Sequence, residues 1–236
     1  MDQTVVIGGV GPGLGESLVR KFAKEGCRVA MIARSEDYLS ELETSIENSG
    51  GTALAVPADL TDSGEIKSAF RRIHETFDAV DILVNHASYA SWKGLLDLSK
   101  DEFEQSWRVG AYGGFLCSQF AVKDMLENDG GTVIFTGATS AIRGAAGSLA
   151  FASAKFAVRG MAQSMAREFG PKGIHVAHVI IDGQIDTLRV RKMMPDRADE
   201  TFLNPDAIAE SYWHLVNQDP SAWTLELDLR PHVEKF

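Results

Sequence analysis

At 236 residues the chain can bury roughly 70–75% of its unfolded surface in one large core, so it needs no disulfide or metal staple. Its 44% hydrophobic and 24% charged content excludes a disordered tail or a chain that is mostly membrane-embedded. A formal charge of −10 without any Lys/Arg cluster argues against nucleic acid and anionic lipid as partners.

In chain order, Met1 leads straight into a strand-like segment, which leaves no room for a signal peptide. No apolar run approaches the roughly 20 residues that span a bilayer, and a cytoplasmic protein with no membrane contact is expected. Short apolar runs at 4–7, 28–32, 53–56, 82–85, 132–136 and 175–181 read as strands. Helical periodicity fills the spaces between them at 14–24, 36–48, 63–77, 101–127 and 149–169. Strands joined by helical crossovers predict an α/β fold, a single Rossmann-type doubly wound parallel sheet with helices on both faces, as one domain over 1–236. Asp62 is placed to cap the third helix, and Gly170-Pro171 to stop the fifth. The stretch 186–205 lacks a clear pattern and reads as a substrate loop or mobile flap, with a plain connection as the alternative. A helix is predicted to start near Asp206. Then 224–229 alternates Leu225, Leu227 and Leu229 with Glu226 and Asp228, as a half-buried edge strand would. Cys27 and Cys117 have no CxxC spacing and read as buried thiols of a reducing compartment. No His/Cys/Asp cluster has metal spacing, so no metal is expected.

The segment Gly8-Gly9-Val10-Gly11-Pro12-Gly13-Leu14-Gly15 leaves the first strand and enters the first helix. Glycines at 9, 13 and 15 allow a tight turn, close approach to a pyrophosphate, and packing of helix on strand. The helix N-terminus then offers N–H groups and partial positive charge to the anion. A glycine-rich turn with no ligand is the alternative, but the position after the first strand favours the phosphate turn. At the end of the second strand stands Arg34, where an acidic residue would accept from a ribose 2′-hydroxyl. A guanidinium suits a 2′-phosphate instead. NADP(H) is therefore expected over NAD(H), the alternative being a solvated arginine.

Further motifs follow in order: Ala58-Asp59-Leu60-Thr61-Asp62, Asn85-His86-Ala87-Ser88, Phe151-Ala152-Ser153-Ala154-Lys155 and Asp182-Gly183-Gln184-Ile185-Asp186-Thr187. Over nearly its whole length the sequence resembles the short-chain dehydrogenase/reductase family. The resemblance implies a cofactor site of Gly9, Gly13, Leu14 and Gly15, with Asp59 on the adenine and Leu60 packed against it. It adds Asn85 and Ala87 after the fourth strand, Lys155 on the nicotinamide ribose, and Gly183, Ile185 and Thr187 near the carboxamide. The departures fall on the chemistry. Phe151 stands at the family's catalytic Tyr, Ala138 at its Ser and Gly110 at its Asn, and only Lys155 survives of the four. This resembles an atypical subgroup that carries Phe for Tyr and keeps the Lys. A positioned general acid is worth about 10²–10⁴ in rate, so its loss would cripple ordinary carbonyl reduction without touching cofactor affinity.

Each candidate replacement has a plainer reading. Ser140 lies two residues past Ala138, and a small loop shift would bring it in. Tyr89 lies in the loop that borders the family's substrate pocket, though a loop tyrosine commonly packs its ring. His86 titrates in a useful range, but the family points that side chain toward structural contacts. Tyr112 is two residues from Gly110 and faces elsewhere. Asp182 is a cap for the following turn or a substrate-facing acid. The catalytic candidates are therefore Lys155, Ser140 and Tyr89, in an NADP(H)-dependent oxidoreductase of a small-molecule carbonyl or alcohol. The alternative is a catalytically inactive NADP(H)-binding sensor or regulatory subunit. A dehalogenase-like lyase is set aside, because such relatives keep Ser and Tyr and lose the glycine turn. The resemblance also implies a homodimer or homotetramer through the fourth and fifth crossover helices, with 223–236 packing across a subunit boundary.

Overall fold

The computed structural model describes residues 3–128 and 130–234. The predicted strands form where their apolar runs lie: β1 (Thr4–Gly8), β2 (Arg28–Ala33), β3 (Thr52–Pro57), β4 (Ile82–Asn85), β5 (Gly131–Thr136) and β6 (Ile174–Ile181). Helices α1 (Leu14–Lys24), α2 (Glu36–Asn48) and α3 (Ser63–Phe77) make the first crossovers, and α6 (Leu149–Phe169) links β5 to β6. With β9 (Glu226–Leu229) the strands build one parallel sheet in the order β3-β2-β1-β4-β5-β6-β9. This is a Rossmann-type α/β fold.

Alternation along each strand loads both faces. Val5, Ile7 and Met31 point to a layer holding Leu18 and Phe22 of α1 and Leu39 of α2. Val6, Ile32 and Leu83 point to the opposite layer with Phe70 of α3, Val122 and Val158. A strand buried on both faces has no polar side to show, so these runs read as continuous rather than alternating. At the start of α3, Asp62 accepts from the Gly64 and Glu65 amides at 2.8 and 2.9 Å, the expected cap. Cys27 and Cys117 are buried free thiols.

Two expectations need correction. The helix predicted as unbroken over 101–127 is interrupted: α4 (Lys100–Trp107) and α5 (Gly113–Glu127) flank a π-turn over Arg108–Tyr112. Gly110, Gly113 and Gly114 weaken the α pattern, and Gly113 sits so close to Leu60 that a Cβ would lie 3.0 Å from its carbonyl oxygen. The wider turn lets the helix bend over that contact. The second concerns the irregularity expected of 186–205, not its reading as a substrate loop. The stretch contains α7 (Leu188–Met193), a short turn over Asp199–Thr201, and β8 (Phe202–Leu203), which pairs with β7 (Gln184–Ile185). Arg191 bonds Asp186 at 2.7 Å and also Asp199. Arg191 and Arg197 lie 4.2 and 5.5 Å from the centre of the Phe202 ring. Ion pairs and cation–π contacts therefore pin this stretch.

Helix α8 (Pro205–Val216) begins at the predicted place and packs on α1, where Ser17 donates to Asp206 at 2.6 Å. Trp223, expected at a subunit boundary, stacks on its own chain's His175 with ring centres 4.9 Å apart. Phe236 lies outside the described residues. No helix among the described residues is long and apolar enough to cross a membrane.

Candidate functional site

β1 pairs with β2 on one side and β4 on the other, so the chain leaves the sheet in opposite directions there and a crevice opens beyond the strand ends. The glycine turn fills one wall of it. Gly9 holds φ at 95° and Gly13 at 100°, values only glycine adopts without strain. A Cβ on Gly9 would lie 2.5 Å from the Ala87 nitrogen, and one on Gly13 2.5 Å from the Thr187 methyl carbon. The first turn of α1 has Gly13 as its N-cap and no side chain capping it. Beside the turn lies a groove of about 200 Å³ between Gly9, Arg34, Ser35, Asp59, Leu60 and Ala87.

Arg34 is exposed at the groove rim, and its charge reaches Asp59. The Asp59 pKa is held below the usual carboxylate range, first by the Thr61 amide and then by the Thr61 hydroxyl, Arg34 and Arg108. Both Thr61 groups donate to Asp59 Oδ1 at 2.8 Å. Leu60 is buried beneath the groove. Asn85 turns its amide inward to Ser118 Oγ at 3.2 Å, spending that side chain within the sheet layer. Gly183 is pressed against Pro231, and Ile185 lies in β7. Thr187 caps α7 through Oγ1, which accepts from the Val190 amide, while its methyl group covers Gly13.

At the end of β5 lies the cluster around Lys155. Lys155 is 3% exposed and donates to the Thr136 carbonyl at 2.7 Å. Burial lowers its pKa to about 8. Its ammonium lies 5.5 Å from the centre of the Phe151 ring, one helical turn away. Trp92, from the loop after β4, lies on Phe151 with ring centres 5.3 Å apart. The Thr136 hydroxyl meets Tyr212 Oη at 2.8 Å and His86 Nδ1 at 3.3 Å. Burial, and then the Lys155 charge, pushes the His86 pKa down to about 4. Beneath Gly137, His178 is fully buried and also falls to about 4, chiefly by burial.

The other candidates are dispersed. Ser140 is buried in the short turn after Ala138. Tyr89 is 38% exposed, and its phenol adds to the raising of the Lys93 pKa that Glu102 dominates. Tyr112 stacks between Trp107 and Phe115. Asp182 does not cap the following turn: it is buried, accepts from Thr139 at 2.6 Å, and lies 3.6 and 3.7 Å from Arg143 and Arg230. The sequence reading missed Thr136 and Trp92. A polar residue closing β5 was the available signal for Thr136; nothing local marked Trp92, which reaches Phe151 only through tertiary packing.

Residues 3–198 match the family profile of the short chain dehydrogenases. The chain belongs to this family. A short-chain dehydrogenase structure from Rhodopseudomonas palustris is 33% identical, with 98% of this chain and all of that one covered and a TM-score of 0.86. An uncharacterized oxidoreductase of Thermotoga maritima is 28% identical over 60% of this chain, a match that spans about half, 55%, of that relative's length. An alcohol dehydrogenase from Thermococcus sibiricus, solved with 5-hydroxy-NADP, shares the fold at 23% identity and a TM-score of 0.88, covering 100% of this chain and 99% of its own. The short-chain dehydrogenase family binds nicotinamide cofactors, and this chain's crevice fits one: the α1 N-terminus has no side-chain cap, and beside it the groove of Gly9, Arg34, Asp59 and Leu60 stands open. The comparisons give no support to the alternative of an inactive sensor.

Proposed function

We propose that this short-chain dehydrogenase is an NADP(H)-dependent oxidoreductase of a small carbonyl or alcohol, of an atypical kind with Phe151 at the family's tyrosine position. The observation that carries this reading is the pairing of an open cofactor groove with a buried Lys155. The cofactor supplies hydride when bound. Gly9, Gly13, Leu14 and Gly15 line the pyrophosphate turn, and Thr187 closes over it. Arg34 receives a 2′-phosphate, and Asp59 and Leu60 hold the adenine with Ala87 behind. Backbone at Asn85 and Gly183, together with Ile185, shapes the floor toward the nicotinamide. The NADP-bound Thermococcus relative adds weight to the cofactor choice.

Lys155 orients the ribose and lends positive charge to an oxyanion forming above Phe151. In a low-dielectric site such a charge acts strongly on a developing anion. Ser140 and Tyr89 are the hydroxyl candidates for a hydrogen bond to the substrate oxygen. The active form is taken to be a homodimer or homotetramer, since α4, α5 and α6 expose Phe103, Trp107, Phe115 and Phe156 at 42–45%. NADPH oxidation, followed at its absorbance band over a panel of carbonyl compounds, tests the reading. Turnover that falls by about 10²-fold or more in Lys155→Met is expected. NADPH binding without turnover of any carbonyl or alcohol contradicts it.

A further inference from the structure

Resting on the oxidoreductase reading, we propose that the substrate is a planar α,β-unsaturated carbonyl compound, reduced at its carbon–carbon double bond, with its oxygen facing Lys155 and its π-face on Trp92.

Hydride addition to an isolated carbonyl puts a full charge on one oxygen. The alkoxide is a strong base and calls for an acid in contact with it. This site has none placed for that task. Positions 110, 138 and 151 carry a hydrogen, a methyl group and a phenyl ring. Polar groups nearby are committed: Thr139 to Asp182, His86 to Thr136, Asn85 to Ser118, and Ser148 to the Ala145 carbonyl. Tyr89 is 38% exposed on the loop after β4, and among the described residues no ring contact joins it to Phe151 or Lys155. A hydroxyl at Ser140 is no more acidic than the alcohol being formed, so it gives no drive for proton transfer. Lys155 is recessed, 3% exposed and held by the Thr136 carbonyl. It acts as a fixed positive charge rather than a contact acid.

Conjugate reduction matches this inventory. The substrate's β-carbon gains a hydride from a reduced nicotinamide dinucleotide, and the C=C π bond breaks. The electron pair passes through the α-carbon to the oxygen, giving an enolate. One proton from water then reaches the α-carbon, and the product is the saturated carbonyl compound with an oxidised dinucleotide. An enolate spreads its charge over carbon and oxygen and is a far weaker base than an alkoxide. A nearby ammonium can stabilise it without a synchronous proton transfer. The second observation is independent of the first. Trp92 is 63% exposed, yet it lies on Phe151. The rings are inclined at 54°, so the pair forms an apolar corner near the Lys155 charge, and a planar conjugated system stacks on the exposed Trp92 face where a puckered aliphatic ketone does not.

Two measurements test the proposal. In the first, 4-nitrophenol is titrated into the protein without cofactor, and the phenolate band reports its ionisation. Its planar ring and delocalised oxyanion imitate the enolate. The bound phenol should ionise about one pH unit lower than the free one, which Lys155→Met abolishes. Its affinity should fall about tenfold in Trp92→Ala, whose exposed side chain can go without loss of fold. In the second, 2-cyclohexenone and cyclohexanone are compared with NADPH. The enone should be favoured about tenfold or more in kcat/KM, with cyclohexanone as product. An allylic alcohol product, equal use of the saturated ketone, or no phenolate shift overturns conjugate reduction and leaves the oxidoreductase reading standing. Bound NADPH with no turnover of any carbonyl overturns both.

Discussion

Phe151 and Lys155 sit one helical turn apart, and their separate fates define the site. Position 151 carries a phenyl ring with no proton to share, and the Lys155 ammonium lies 5.5 Å from its centre. Because burial lowers the Lys155 pKa to about 8, its charge is present below that pH and is lost as pH rises through it. If the ammonium stabilises the oxyanion, kcat/KM should be flat up to about pH 7 and fall about tenfold for each further pH unit well above 8. A pH–rate profile that stays level to pH 10 contradicts that role. Restoring the phenol is the complementary test. Phe151→Tyr should raise turnover of a saturated ketone by about 10²-fold, the lower end for a positioned acid, because Ala138 and Gly110 still lack their partners. No gain would mean that the pocket above Phe151 no longer places a carbonyl near position 151.

Among the elements, those closest to the sequence were the ones whose period is set locally. α1, α2, α3 and α6 fall at the expected ends because their apolar faces and caps lie within the segment itself, as with Asp62 at the start of α3. The π-turn at Arg108–Tyr112 was hidden because its cause, the contact of Gly113 with Leu60, joins residues far apart in the chain. The segment 186–205 looked irregular because its order comes from Arg191, Arg197 and Phe202 rather than from a helical stripe. Site residues followed the same rule. Gly9 and Gly13 were legible because backbone conformation demanded glycine, while Trp92 on Phe151 was not. The junction of β5 with its following loop carries a further constraint. A Cβ at Gly137 would press on Nε2 of the buried His178 ring, 2.6 Å from its Cε1 and 2.9 Å from the Val179 carbonyl oxygen. Neither can yield easily, so Gly137→Ala should cost about 1–3 kcal/mol and lower Tm by several degrees. An unchanged melting curve would show that β6 gives way to the added methyl group.

For the whole molecule, the fold sets the groove and the Lys155 cluster apart. The parallel order β3-β2-β1-β4-β5-β6-β9 places the crevice between β1 and β4, and the cofactor contacts proposed above gather at strand ends around it, with Lys155 added from α6. The same sheet carries the Lys155–Thr136 contact at the end of β5, on the far side of β4. Changes at 110, 138 and 151 therefore leave the groove at Gly9, Arg34 and Asp59 intact. A net charge of −10 makes Arg34 stand out further, since an anionic ligand approaches a mostly repelling surface and needs a local cation. A contact between Arg34 and a 2′-phosphate, as proposed, would be a charge-assisted bond worth about 10–100-fold in affinity. Calorimetric titration of the protein with NADPH and then with NADH tests this most directly. NADPH should bind in the micromolar range or tighter, with NADH about tenfold or more weaker. Equal affinity, tighter NADH, or no binding of either dinucleotide would contradict the account.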